Sequence, residues 1–159
     1  MKKICLIAVL IFTTGLTVFA QEETAAGKDK SIGVGVEWNM NSRENFAGSA
    51  VLGFCFNLES SLAIGIVTAA SYNFTEIFVL EPSAFFRCYF LSNDHMGPFI
   101  QVDVGACLVF EDEDFLPLFM GGFRAGFRLP LGDMFFVEPF GRFGYPFMFG
   151  VGAMAGIRF

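Results

Sequence analysis

Where this chain keeps its ions constrains its fold more than any other feature. From Ser31 to Phe159 the sequence alternates with period two, and nine charged residues fall inside the alternating stretches: Glu37, Glu81, Arg87, Asp103, Arg124, Arg128, Glu138, Arg142 and Arg158. Where one stretch holds two of them, they share a phase: Glu81 with Arg87, Arg124 with Arg128, Glu138 with Arg142. The opposite phase holds no charge in any stretch. Successive strand residues point to opposite faces of a sheet, so each stretch reads as a strand with one ion-free face.

Eight such stretches follow one another: Ser31–Asn39, Ala47–Asn57, Ser61–Asn73, Ile77–Leu91, Pro98–Phe110, Leu118–Leu129, Phe135–Phe143 and Phe147–Phe159. In the first, Ile32, Val34, Val36 and Trp38 oppose Ser31, Gly33, Gly35, Glu37 and Asn39. In the last, Phe149, Val151, Ala153, Ala155, Ile157 and Phe159 oppose Met148, Gly150, Gly152, Met154, Gly156 and Arg158. The separators carry turn residues: "NLESS", "LSNDHMG" and "LPLGD" at one end, "NMNSREN", "NFTE", "EDEDFLP" and a tight Gly144-Tyr145-Pro146 at the other.

Period two also fits a soluble barrel, so composition must choose the face. A soluble barrel would scatter lysines and glutamates over its polar phase. Here the only lysines are Lys2, Lys3, Lys28 and Lys30, all before Ser31, and the polar phase is mostly Gly, Ser and Ala. That suits a cramped interior. The chain is 54% hydrophobic, yet beyond its first twenty residues no run reaches the ~18 apolar residues of a membrane helix. Closure is the one way strands satisfy their backbone groups in hydrocarbon. The expected fold is all-β, an eight-stranded antiparallel up-and-down transmembrane β-barrel, with ions inside and the ion-free phase toward lipid.

Residues 1–20, "MKKICLIAVLIFTTGLTVFA", read as a secretory signal peptide: two lysines, a short apolar run, and small residues at the cut after Ala20. Residues 21–30 read as a flexible leader and 31–159 as the barrel domain. Loss of Lys2 and Lys3 takes the net charge from −6 to −8, which disfavours a nucleic-acid partner. Cys55, Cys88 and Cys107 remain, an odd number without pattern, and read as small wall residues.

A signal peptide, eight alternating strands and a terminal Phe resemble the small bacterial outer-membrane barrels, the OmpA-, OmpX- and OmpW-like group. The resemblance implies an outer-membrane location, lipid as the surroundings, and periplasmic chaperones and the barrel-assembly machinery as partners in biogenesis. It implies that Ile157 and Phe159 act as the assembly signal. Both barrel termini would face the periplasm, so "NLESS", "LSNDHMG" and "LPLGD" would be periplasmic turns. No C-terminal peptidoglycan-binding domain is expected after the barrel, so wall tethering is not implied.

Strand directions then place Trp38, Tyr72 and Tyr145 at one rim and Phe56, Phe127, Phe135 and Phe159 at the other, an aromatic girdle. Counting from the periplasmic end, Arg87, Asp103, Arg124 and Glu138 are expected to form one cluster in the lower half. Glu37, Glu81 and Arg142 form a second layer above. An eight-stranded bore is just filled by side chains, and buried ions must be paired, so the layers read as a plug. Inward glycines would leave room for water.

No catalytic arrangement emerges. His95 is the only histidine, with Ser92 and Asp94 nearby in a turn. Glu111 to Asp114 lack the ligand spacing and glycine of a calcium loop. "GVGAMAG" has neither Lys nor a following helix. The expected function is non-enzymatic and free of cofactor and metal: a structural or interacting barrel, or a narrow and largely plugged pore. The alternative is an OmpW-like transporter of small hydrophobic molecules, with inward Val67, Phe85, Val109, Phe136 and Phe140 lining its path.

Overall fold

The computed structural model describes residues 29–40, 46–59, 61–73, 77–90, 95–111 and 114–159. The expected signal peptide and most of the leader lie outside these residues, as do Ser92, Asp94 and the middle of the acidic run.

Eight strands follow in order: β1 Lys30–Met40, β2 Phe46–Glu59, β3 Leu62–Asn73, β4 Phe78–Tyr89, β5 Gly97–Glu111, β6 Asp114–Leu131, β7 Phe135–Tyr145 and β8 Phe149–Arg158. Each pairs antiparallel with the next, and β8 returns to β1 to close the barrel. The closing ladder runs from Ser31 opposite Arg158 to Met40 opposite Phe149. Lys30 and Phe159 extend it by exchanging backbone bonds of 3.0 and 3.1 Å. Closure leaves no free edge strand, so every strand has a neighbour on both sides of the ring, with only the upper part of β6 paired on one side. Below, the lower end is the one where β1 starts and β8 finishes.

The wall is apolar outside and ionic within. Outward Val36 and Phe119 are 69% and 67% exposed, whereas inward Asp103 is 0% and Arg124 2% exposed. Eight of the charged residues read from the sequence are buried in the lumen, and Arg158 sits half-buried at the lower rim. Phe54 faces outward yet is buried, because the Phe56 ring meets it edge-on at 4.6 Å.

Strand ends differ from the sequence reading in several places, and three of them change the wall. The stretch read as an outer loop from Glu111 to Pro117 is mostly strand. The β5–β6 ladder continues to Glu111 opposite Asp114, and Phe78, Phe110 and Phe115 pack ring on ring across three neighbouring strands. Above Gly121, β6 pairs on one side only, which tolerates Pro117. Second, β8 starts at Phe149, after a cis Tyr145–Pro146 peptide, and Phe147 turns inward instead of facing out. Third, β1 begins at Lys30, the last residue assigned to the leader. In the β6–β7 turn Gly132 adopts φ +81°, a left-handed conformation that glycine takes without steric cost.

Candidate functional site

The lumen holds two ionic tiers. In the lower one, Arg87 reaches from β4 to Glu138 on β7, its Nη1 and Nη2 donating to Oε2 and Oε1 at 2.8 Å each. Arg128 Nε donates to the same Oε2 at 2.7 Å. Arg87 also donates to Gln101 Oε1 and to the Tyr89 hydroxyl, and Arg128 to Ser31 Oγ. Gln101 Nε2 in turn donates to Asp103 Oδ1, which links this tier to the next.

The upper tier is looser. Arg142 Nη2 donates to both Glu81 oxygens at 3.0 and 3.2 Å. Arg142 Nε stands 3.4 Å from Glu37 Oε1, and Arg124 stands 3.7 Å from Glu37 and 3.8 Å from Asp103. Both Glu37 oxygens, Asp103 Oδ2 and Arg124 Nε are buried without a hydrogen-bond partner. Beside them Asn39 donates to Ser49 Oγ at 2.8 Å, and Ser49 and Ser71 share a 2.7 Å bond. An apolar cap closes the upper mouth, built from Ala47, Val79, Cys107, Met120 and Phe147.

The sequence-based layers therefore need correction. Arg87 and Glu138 do meet, but Arg124 and Asp103 join Glu37, Glu81 and Arg142 above, and Arg128 takes the vacated place below. The count from the turn misled because β6 runs on to Leu131 and β4 stops at Tyr89. Arg124 thus stands higher, and Arg87 lower, than the expected ends implied. Strand tilt and stagger add to the error.

Aromatic rings complete the packing. The Arg87, Arg124 and Arg128 guanidinium carbons lie 4.0, 4.3 and 4.2 Å from the ring centroids of Phe99, Phe140 and Phe136. Each ring in turn lies against an inward glycine. A β-carbon on Gly126 would come 2.7 Å from Phe99, and one on Gly152 would come 2.7 Å from Phe140; on Gly156 it would strike Phe136. Glycine, ring and cation form three stacked sets. The ring face supplies negative quadrupole to the cation, while its edge occupies the space that a side chain would take.

The expectation that inward glycines leave room for water is corrected at these three positions, which the rings fill. A cavity of about 20 Å³ between the tiers has room for about one water. Of the residues expected to line an apolar path, Phe136 lies under Arg128, while Val67, Phe85 and Phe140 pack in one buried cluster and Val109 packs against the cap. Sequence reasoning had left Arg128, Gln101 and Tyr89 out of the charged network. Their signal was present: Arg87 and Tyr89 share one inward phase, as do Gln101 and Asp103, and Arg124 and Arg128.

The girdle candidates all face outward. Trp38, Tyr72 and Tyr145 are exposed near the upper end, and Phe56, Phe127, Phe135 and Phe159 near the lower. Ile157 faces outward opposite Ile32. His95 packs edge-on against Tyr89, with ring centroids 5.6 Å apart. Cys55, Cys88 and Cys107 are free thiols. Among the described residues, no three His, Cys, Asp or Glu side chains converge as a metal-binding group.

A closed eight-stranded antiparallel barrel with an apolar outer wall and a salt-bridged interior has the architecture of the small membrane-spanning barrels. Solved structures share that fold. The N-terminal β-barrel domain of Pseudomonas aeruginosa OprF superposes with a TM-score of 0.58 at 12% identity, over 81% of this chain and 97% of that one. Neisserial surface protein A gives 0.61 at 9% identity, over 82% and 96%. A de novo designed transmembrane β-barrel gives 0.51 at 15%, over 87% and 100%. No family model matches the chain, and no curated protein matches it in sequence.

Proposed function

We propose that the chain is a non-enzymatic bacterial outer-membrane barrel of the OmpA/OmpX/OmpW-like kind, whose lumen is a structural plug and whose task is mechanical or interactive. Residues 1–20 direct export and are removed, periplasmic chaperones and the assembly machinery complete the route, and Ile157 with Phe159 serves as the assembly signal. The observation that carries the plug is the balance of the lumen. Arg87, Arg124, Arg128 and Arg142 face Glu37, Glu81, Asp103 and Glu138, all four cations lie over aromatic rings, and the apolar cap closes the upper mouth. A conducting bore would need a continuous wet path, and here side chains fill it.

Planar-bilayer conductance tests this reading. Refolded wild type should stay nearly silent. Arg124→Ala removes a cation from the looser tier together with its cover on Phe140, and should leak. Wild-type conductance equal to that of Arg124→Ala would overturn the plug.

A further inference from the structure

The outward phase of the described strands carries a single cation. Lys30 opens β1 at the lower end, in the same phase as Ile32, Val34 and Val36. Just above it, an open groove of about 560 Å³ crosses the closing seam, lined by Ile32, Val34, Leu131, Phe135, Ala155 and Ile157. Ala155 makes the groove: it lies opposite Val34 on one side and Val137 on the other, a low point between taller neighbours. The volume is that of a small-molecule site, and its lining is apolar.

We propose that this groove is a site for one anionic phospholipid, with an acyl chain lying over Ala155 along Val34 and Ile157 and the headgroup phosphate on the Lys30 ammonium. The proposal rests on the reading that the outer wall faces lipid. In a bilayer, apolar contact alone selects nothing, because the surrounding chains are equally apolar; close packing in a concave site and headgroup charge are what hold one lipid longer than its neighbours. Lys30 stands at the rim, where a long cationic side chain reaches the headgroup level. A second copy of the chain fits less well. A two-fold contact across this seam would bring two Lys30 side chains toward one another.

The test uses the full chain refolded into vesicles of mixed phosphatidylcholine and phosphatidylglycerol, followed by gentle detergent extraction and native mass spectrometry. Wild type should retain one lipid, enriched about fivefold in phosphatidylglycerol over the vesicle, as one interfacial cation allows. Lys30→Gln should keep one lipid and lose the enrichment. Ala155→Phe fills the groove and should retain none, while Val151→Phe, outward on the same strand but outside the groove, should match wild type. Inserted protein that retains no lipid, Ala155→Phe indistinguishable from wild type, unchanged enrichment in Lys30→Gln, or a dimer mass in place of the lipid adduct would each overturn the site. Failure to insert at all would overturn the membrane reading itself, so the two outcomes are separable.

Discussion

Arg87 on β4 spans the lumen to grip Glu138 on β7 with two 2.8 Å hydrogen bonds, and Arg128 takes the same carboxylate at 2.7 Å. One anion thus serves two buried cations, and the remaining positive charge is spread over the Phe99 and Phe136 faces and the Tyr89 hydroxyl. Three strands, β4, β6 and β7, are tied at a single point.

Glu138 should accordingly be the most sensitive ion in the lumen. Glu138→Gln leaves two buried guanidiniums without a counter-charge, and stranding a buried ion costs about 3–5 kcal/mol. Arg128→Met strands nothing, because Glu138 still holds Arg87, and its loss should be clearly smaller. Urea unfolding of the two refolded variants measures the difference. Equal losses would mean that the carboxylate is not shared in the way the distances indicate.

The glycines separate by what they face. Gly48 is outward with nothing near the position of an added β-carbon, so Gly48→Ala should hold or raise stability, by up to about 1 kcal/mol, through the unfolded chain's lost freedom. Gly156→Ala would drive a methyl into the Phe136 ring and the Ile32 carbonyl, and overpacking of this kind costs about 1–3 kcal/mol. Adding Phe136→Leu to Gly156→Ala should recover part of the loss. Unfolding midpoints of the four proteins decide it, and a Gly156→Ala as stable as wild type would remove the stacked sets from the account of stability.

The sorting of faces was legible in the sequence because a strand offers no third direction. Once Glu81 and Arg87, or Glu138 and Arg142, share a phase, closure sends them all to the same side. Height was not legible. It depends on where each strand ends and how far it leans, and Leu131 and Tyr89 moved Arg124 up and Arg87 down. Nor was the cap. Phe147 reads as one more outward aromatic in the alternation "FMFGVGAMAGIRF", and only the turn that precedes it folds its ring inward over Arg142, 5.8 Å from the guanidinium carbon.

The cap makes a chemical prediction. Cys107 is 1% exposed, buried in one cluster with Phe147 and Met120, whereas Cys88 lies in the outward phase. In a chain without residues 1–20, and so without Cys5, that carries Cys55→Ala and Cys88→Ala, a water-soluble maleimide should leave folded Cys107 unlabelled over hours. Phe147→Ala opens the upper mouth, and labelling should then rise at least tenfold without a change in far-ultraviolet circular dichroism. Rapid labelling of Cys107 in the capped protein would show that the cap does not seal the bore.

Trp38 offers the most direct reading of how the wall meets the membrane, because it is the only tryptophan in the chain. Its ring faces outward, two residues from the upper end of β1, 48% exposed and 6.0 Å from Phe46. An indole at that height should sit among the headgroups, its apolar body in the chains and its N–H toward water. On insertion into vesicles its emission should shift to the blue. Lipids brominated near the glycerol should quench it more than lipids brominated near the chain ends, since only the former place bromine at its depth. Deeper quenching by the mid-bilayer probe would mean that the apolar band extends above Trp38, and the upper girdle would have to be redrawn. An unshifted, unquenched emission would mean that this face of the wall stays in water.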